Sequence, residues 1–519
     1  MALVLWACGG ESVPPTTAEV GASPTTSAVA ATSTEATTQT SSDAATPEVT
    51  TAPSEETTSA STEPYTPSTE PSTTTRAEAT ESSSPTAAVS SSGYEFPPPP
   101  QFPEGPISDG LRSDLDTFFD LLEAERRIGR EELIAVASHG DIRSAWVLSD
   151  VLRFANSVEL HELLGARLQD LLGADSLGGG TPDLWKDATD LLIAWDLPDF
   201  PEYREYKGRL FTLVEPGWEP FFSDPEATID WRWLSWGGVF IDDRPLGATT
   251  GCPRGCIPSL DDPPVTPAED GGWYPDDGVV FGVTVNGESR AYPKNQMEVH
   301  EMVNDTLGGR RIGMPYCTLC GSAQAYFTDQ VPAGVQTPVL RTSGLLSRSN
   351  KVMYDLNTKS VFDTFTGEAL SGPLREAGVR LSQATVVSST WGAWKKAHPD
   401  TTILAEDGGM GRSYPLDPLR GRDDHGPIFP VGDVDTRLGV QDLVVGVELE
   451  DGTTIAFPRQ TALSVIDAGG EVTAEGVRLI KDGDGLRAIM VSDGSQIASH
   501  QAFWFAWSQF WPDTLLWSP

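Results

Sequence analysis

Tyr316-Cys317-Thr318-Leu319-Cys320-Gly321-Ser322 holds two of the five cysteines in this 519-residue chain. Two thiols separated by two residues support three kinds of chemistry. The first is metal binding. Cys-x-x-Cys-Gly between two strands has the shape of a metal knuckle, whose backbone N–H groups point at the sulfurs and favour thiolate. A structural zinc site of the usual kind would supply a second Cys-x-x-Cys, and the sequence has none. His300, in Met297-Glu298-Val299-His300-Glu301, is the nearest imidazole, and Met353 or His500 would complete a soft site. Two thiolates, an imidazole and a thioether suit copper better than calcium or magnesium, and copper is placed ahead of zinc because the chain reads as lying outside the cytosol. The expected metal set is therefore Cys317, Cys320, His300 and Met353, with His500 as the other fourth donor.

The second chemistry is redox: a Cys-x-x-Cys pair outside the cytosol cycles between dithiol and disulfide. The thioredoxin-like version puts the motif at a helix N-terminus, whereas Ser322-Ala323-Gln324-Ala325-Tyr326-Phe327 reads as strand or is ambiguous. The third is a plain structural disulfide, and a further variant makes Cys317 a lone nucleophile with His300 as its base. Glu301, directly after His300, points about 100° away on a helix and reads either as facing solvent or as supporting the ligands from behind. Cys252-Pro253-Arg254-Gly255-Cys256 reads as a local loop disulfide. No glycine-rich phosphate loop, zincin motif or Ser-His-Asp elbow is present. The aromatic run from Phe503 to Trp511 reads as core or sheet edge.

The elements that must position these residues follow from the composition. Asp and Glu outnumber Lys and Arg 75 to 35, a formal charge of -40, which argues against nucleic acid as a partner because phosphate binding needs clustered cations. No stretch approaches the roughly 20 apolar residues of a membrane span. Leu5-Trp6-Ala7-Cys8 resembles the end of a lipoprotein signal, with Cys8 the lipidated residue and residues 1–8 the remnant of that signal. Residues 9–105 are Ser/Thr/Pro-rich, with Arg76 the one Lys or Arg among them, and are expected to form a disordered tether. Together these features imply an extracytoplasmic chain attached to a membrane through a lipid anchor.

Residues 106–235 read as a small all-α module, from the three-to-four spacing of Leu115, Phe118, Phe119 and Leu122 and similar stripes, and from Thr181-Pro182-Asp183 as a helix start. From 236 to 519 the period becomes two, giving a mainly-β (α+β) domain. Val279–Val285, Asn286-Gly287 and Glu288–Pro293 read as a hairpin. Leu443–Leu449, Glu450-Asp451-Gly452 and Thr453–Pro458 repeat the design, so the domain is expected to contain two related β-halves.

These residues also resemble a family. Ala291-Tyr292-Pro293, His300-Glu301-x-Val303-Asn304-Asp305, Tyr316-Cys317-x-Leu319-Cys320-Gly321, Ser343-Gly344-Leu345-Leu346 and Met353-Tyr354-Asp355 are similar to motifs of the domain-of-unknown-function family DUF3179. Thr390-Trp391-Gly392-x-Trp394, His398-Pro399-Asp400-Thr401, Phe429-Pro430-Val431 and Phe503-Trp504-Phe505-Ala506-Trp507 extend the resemblance over roughly 240–515. It implies a domain and no reaction. It also implies that the first motif cysteine, Cys317, is the more regular of the two, and that Cys252 and Cys256 are particular to this chain. The leading expectation is an exported metal-binding protein. A thiol-dependent redox protein or enzyme using Cys317, and an interaction module with a structural disulfide, are the alternatives.

Overall fold

The structure, a computed structural model, describes residues 88–173, 177, 183–422 and 424–519. Cys8 and the tether up to residue 87 lie outside the described residues, as do Thr181 and Pro182. Residues 88–105, read from sequence as the end of the tether, are packed instead. Phe96 is buried, Pro97 accepts a hydrogen bond from the Trp195 indole at 2.7 Å, and Ser90 bridges to Asp433.

The helical region begins with Asp109–Glu125, which buries Leu111, Leu115, Phe118, Phe119 and Leu122 on one face. Ser108 caps its start by accepting from Leu111 N, and Arg126 ends it in the left-handed conformation. Helices Arg130–Ser138, Ala145–Phe154, Val158–Leu172, Leu184–Ala194 and Tyr203–Val214 follow. Asp183 itself caps the fifth, accepting from Lys186 N. Their apolar faces share one core with Trp236, Phe240, Leu345, Val352, Tyr354 and Val361 from the β region. The boundary expected between 235 and 236 falls inside a strand, Leu234–Trp236, which pairs with Leu345–Ser347. Helices and sheet are therefore sealed together: the Trp218 indole donates to Ser343 O at 2.7 Å, and buried Asp190 accepts from Val431 N and Gly432 N.

The remainder is a propeller-like set of five small sheets. Two pairs of these sheets repeat one design. In the first half, hairpin Val279–Val285/Glu288–Pro293 turns at Asn286 and Gly287, both at positive φ, as a two-residue primed turn requires. Val386–Thr390 pairs antiparallel with its first strand and Thr402–Leu404 parallel with its second. In the second half, hairpin Leu443–Glu448/Thr454–Pro458 is flanked in the same senses by Ser499–Phe503 and Leu515–Leu516. Both outer strands run into a short helix whose tryptophan lies over a glycine of the hairpin, Trp394 over Gly282 and Trp507 over Gly446. Each indole donates at 3.0 Å to a threonine seven residues on, Thr401 and Thr514.

The meanders that follow also correspond: Met302–Leu307, Arg310–Cys317, Ala325–Phe327 and Gln383–Ala384 match Val472–Ala474, Val477–Asp482, Gly485–Met490 and Gln496–Ile497 in order. Where the second half turns tightly through Gly483-Asp484, the first inserts the cysteine segment. Between its third and fourth strands it also inserts residues 328–382, which bring strands Leu340–Ser347, Asn350–Asp355 and Val361–Asp363. The candidate site lies where these two insertions meet.

Candidate functional site

Strand Arg310–Cys317 ends at Cys317, and a single 3₁₀ turn, Thr318–Cys320, follows. Gly321 closes it at φ 58°, and a Cβ there would crowd the Phe503 ring of the second half. The turn folds the two sulfurs together, and Cys317 and Cys320 are joined as a disulfide with Cα atoms 5.3 Å apart. Both are buried, Cys320 at 0% and Cys317 at 4% exposed, in one core with Phe365, Val431, Trp504 and Phe505, and they differ in what lies on the other side. Cys317 lines a cavity of about 170 Å³, shared with Thr318, Glu301, Ser349, Lys351 and Phe429.

The polar wall of this cavity is built by an ion pair between insertion and meander. Lys351, on strand Asn350–Asp355, donates from Nζ to the Glu301 carbonyl at 2.7 Å and meets Glu301 Oε2 at 3.1 Å. Burial pushes the Lys351 ammonium below its ordinary range, against the pull of Glu301. Glu301 ends helix Lys294–His300 at φ 52°, a left-handed conformation unusual for glutamate. It is held there because its N–H bonds Met297 O while its carbonyl receives both Lys351 and the Tyr316 N–H at 2.9 Å. The Thr318 hydroxyl donates to Glu301 Oε1 at 3.4 Å, tying the carboxylate to the residue after Cys317. Opposite, Arg348 and Ser349 form a turn with φ of 45° and 67°. The Ser349 carbonyl oxygen lies 3.8 Å from the Cys317 sulfur and 3.5 Å from that of Cys320, and its buried hydroxyl has no partner among the described residues.

The four expected metal ligands are not brought together. His300 is buried, with Nδ1 donating to Pro258 O at 2.6 Å and Nε2 against the Tyr414 hydroxyl at 2.7 Å. Burial lowers this ring to about 4, so it is neutral, and both nitrogens are engaged away from the sulfurs; neither the ligand nor the base role fits it. Met353 lies in a separate core with Met302, Tyr326 and Phe362. His500 is buried beside Gln324 and lines a different cavity. Among the described residues, one group of three or more His, Cys, Asp or Glu side chains places its ligand atoms within 4.8 Å of one another: Asp242, Cys252 and Cys256. There the cysteines are bonded to each other. Burial pushes the Asp242 carboxyl up, but Arg244, the Ser259 N–H and Arg341 outweigh it and hold the group below its usual value. A cation at that point would displace guanidinium groups.

Sequence reading missed Lys351 and Ser349, and left Glu301 between solvent and a place behind the site. The one local signal was a lysine inside the wholly buried strand Asn350–Asp355, a position where a charge needs a partner.

The arrangement defines a mainly-β protein with a buried cysteine pair, of which one residue, Cys317, lines a charged cavity. Residues 254–489, a little under half of the chain, match the family described as Protein of unknown function (DUF3179). The match takes in Cys317, Cys320, Lys351 and Glu301, begins after Cys252, and stops before the strand Ser499–Phe503. No curated protein and no solved structure matches the chain.

Proposed function

We propose that this chain is an extracytoplasmic thiol–disulfide exchange protein in which Cys317 is the reacting sulfur and Cys320 the resolving one. The observation that carries this reading is the asymmetry of the pair: one bonded sulfur borders a cavity and the other is enclosed behind it. In the exchange, a thiolate of a substrate dithiol attacks Cys317 Sγ, the Cys317–Cys320 bond breaks, and Cys320 leaves as thiolate. The second substrate thiolate then attacks its own sulfur in the mixed disulfide and expels Cys317. The substrate loses two electrons and becomes a disulfide, and the protein gains them as a dithiol.

The buried Lys351 ammonium supplies the positive potential that favours a thiolate on the cavity wall, and the Glu301 carboxylate is the nearest proton acceptor linked to Thr318. The Leu-x-Ala-Cys box at Cys8 and the Ser/Thr/Pro-rich stretch after it support a lipid-anchored setting outside the cytosol, where disulfides persist. The test is capture. Cys320→Ser protein incubated with oxidised glutathione is expected to accumulate a mixed disulfide at Cys317, found by peptide mass spectrometry, and Cys317→Ser protein is expected to accumulate far less. Absence of any adduct in folded Cys320→Ser protein defeats the reading.

A further inference from the structure

The second half of the β domain carries a separate cavity of about 360 Å³, bordered by His500, Trp507, Trp511, Gln383, Arg380 and Glu448. Beside it the two halves differ at one position. In the first half His398 stacks on Trp394 with centroids 3.9 Å apart, and its Nε2 is bound to Asp482 at 2.7 Å. Its counterpart is Trp511, which stacks on Trp507 at 4.2 Å and makes no hydrogen bond from its indole N–H among the described residues. Trp511 and Gly452 also border an adjoining open cleft with Phe510, Asp451 and Thr453, so the two spaces meet at the indole.

His500 gives this cavity a directional donor. The residue is only 3% exposed, and its Nε2 lies 3.4 Å from the Gln324 side-chain amide, which engages one ring nitrogen. Nδ1 has no partner among the described residues. Burial lowers the ring to about 4, so it is a neutral N–H donor at ordinary pH. The charged groups on the rim cancel: Arg380 donates twice to Glu448, at 2.6 and 2.8 Å. An anion finds no free guanidinium here, and Glu450 adds a negative charge to the rim. A quaternary ammonium offers nothing for the His500 and Trp511 N–H groups to donate to.

The geometry points to a binding site for a neutral saccharide of at least two rings, with a pyranose C–H face against Trp511 and a hydroxyl oxygen accepting from His500. Aromatic rings present a negative face that suits such C–H groups, and sugar hydroxyls both accept and donate, as this mixed rim requires. The site does not depend on the cysteine chemistry.

The experiment is calorimetric titration of the full chain with maltose, cellobiose and N,N′-diacetylchitobiose, with choline chloride and citrate as cationic and anionic probes. Saturable binding of at least one disaccharide is expected. Trp511→Ala should weaken it tenfold or more, His500→Asn should stay within a few-fold because the amide replaces the donor, and Cys317→Ser should leave it unchanged. Trp511 is only partly buried, so Trp511→Ala keeps the test open if substitution at His500 prevents folding; near-ultraviolet dichroism checks both. Binding of none of the three saccharides, binding of choline or citrate instead, or saccharide binding indifferent to Trp511→Ala overturns the proposal.

Discussion

Two buried neutral imidazoles make the stability of this fold acid-sensitive in a window that can be calculated. His300 and His500 are each lowered to about 4 from an ordinary 6.5, in both cases chiefly by burial. Because the folded value lies below the unfolded one, the unfolded chain takes up these protons first as pH falls. Each ring's contribution is complete above pH 6.5 and is lost on descending toward 4. Between pH 7 and pH 5 the proton difference acts over about 1.5 pH units at about 1.4 kcal/mol each, so each ring removes about 2 kcal/mol of stability. Asp242, held low by Arg244, adds a loss of the same sign at more acid pH. Asp150, Asp190 and Asp363, raised by burial, act in the opposite sense. The difference between variants isolates the rings. Urea unfolding at pH 7 and pH 5 is expected to show a pH loss smaller by about 2 kcal/mol in His300→Gln than in the unaltered chain, and likewise in His500→Gln. Variants with the same pH dependence as the parent would refute the burial argument, and with it the assignment of His500 as a neutral donor.

Other substitutions test the packing and the ion pair. Gly446→Ala and Gly282→Ala each drive a methyl into an indole, Trp507 or Trp394, and should cost about 3 kcal/mol in chemical denaturation, whereas Gly272→Ala, which meets open space without a left-handed backbone, should cost far less. Lys351→Met leaves Glu301 without its partner at the cavity and should destabilise the chain by about 3 kcal/mol, with part recovered in Lys351→Met/Glu301→Gln. If the double variant is no more stable than Lys351→Met, the pairing is unimportant. The same Lys351→Met change should raise the pH at which reduced Cys317 alkylates, read by iodoacetamide kinetics.

The two β-halves were legible because their signals are local. Asn286-Gly287 with alternating apolar neighbours specifies a hairpin by itself, and the second hairpin repeats it at Leu443–Pro458. The cysteine pair was legible for the same reason. What failed was orientation. His300 lies near the cysteines in sequence, but it is the last residue of its helix, and its ring is aimed at Pro258 and Tyr414, 42 and 114 positions away. Nothing in nearby residues reports such partners. Glu301 and Lys351 are 50 positions apart and meet only because an inserted sheet packs on the meander, so a charge left between solvent and a place behind the site became a cavity wall. The helical region was recognised from its periodicity, but its limit was not, because Leu234–Trp236 is buried at every residue, Ser235 included, and serves helices and sheet at once.

The central claim is tested most directly by equilibrating the folded chain in graded mixtures of reduced and oxidised dithiothreitol, quenching with a thiol-specific label, and counting labelled Cys317 and Cys320 by mass spectrometry. The account predicts a reversible two-electron transition at this pair, with the protein folded throughout by far-ultraviolet dichroism. A Cys317–Cys320 bond that resists reduction until the chain unfolds would contradict it and leave the pair a structural staple.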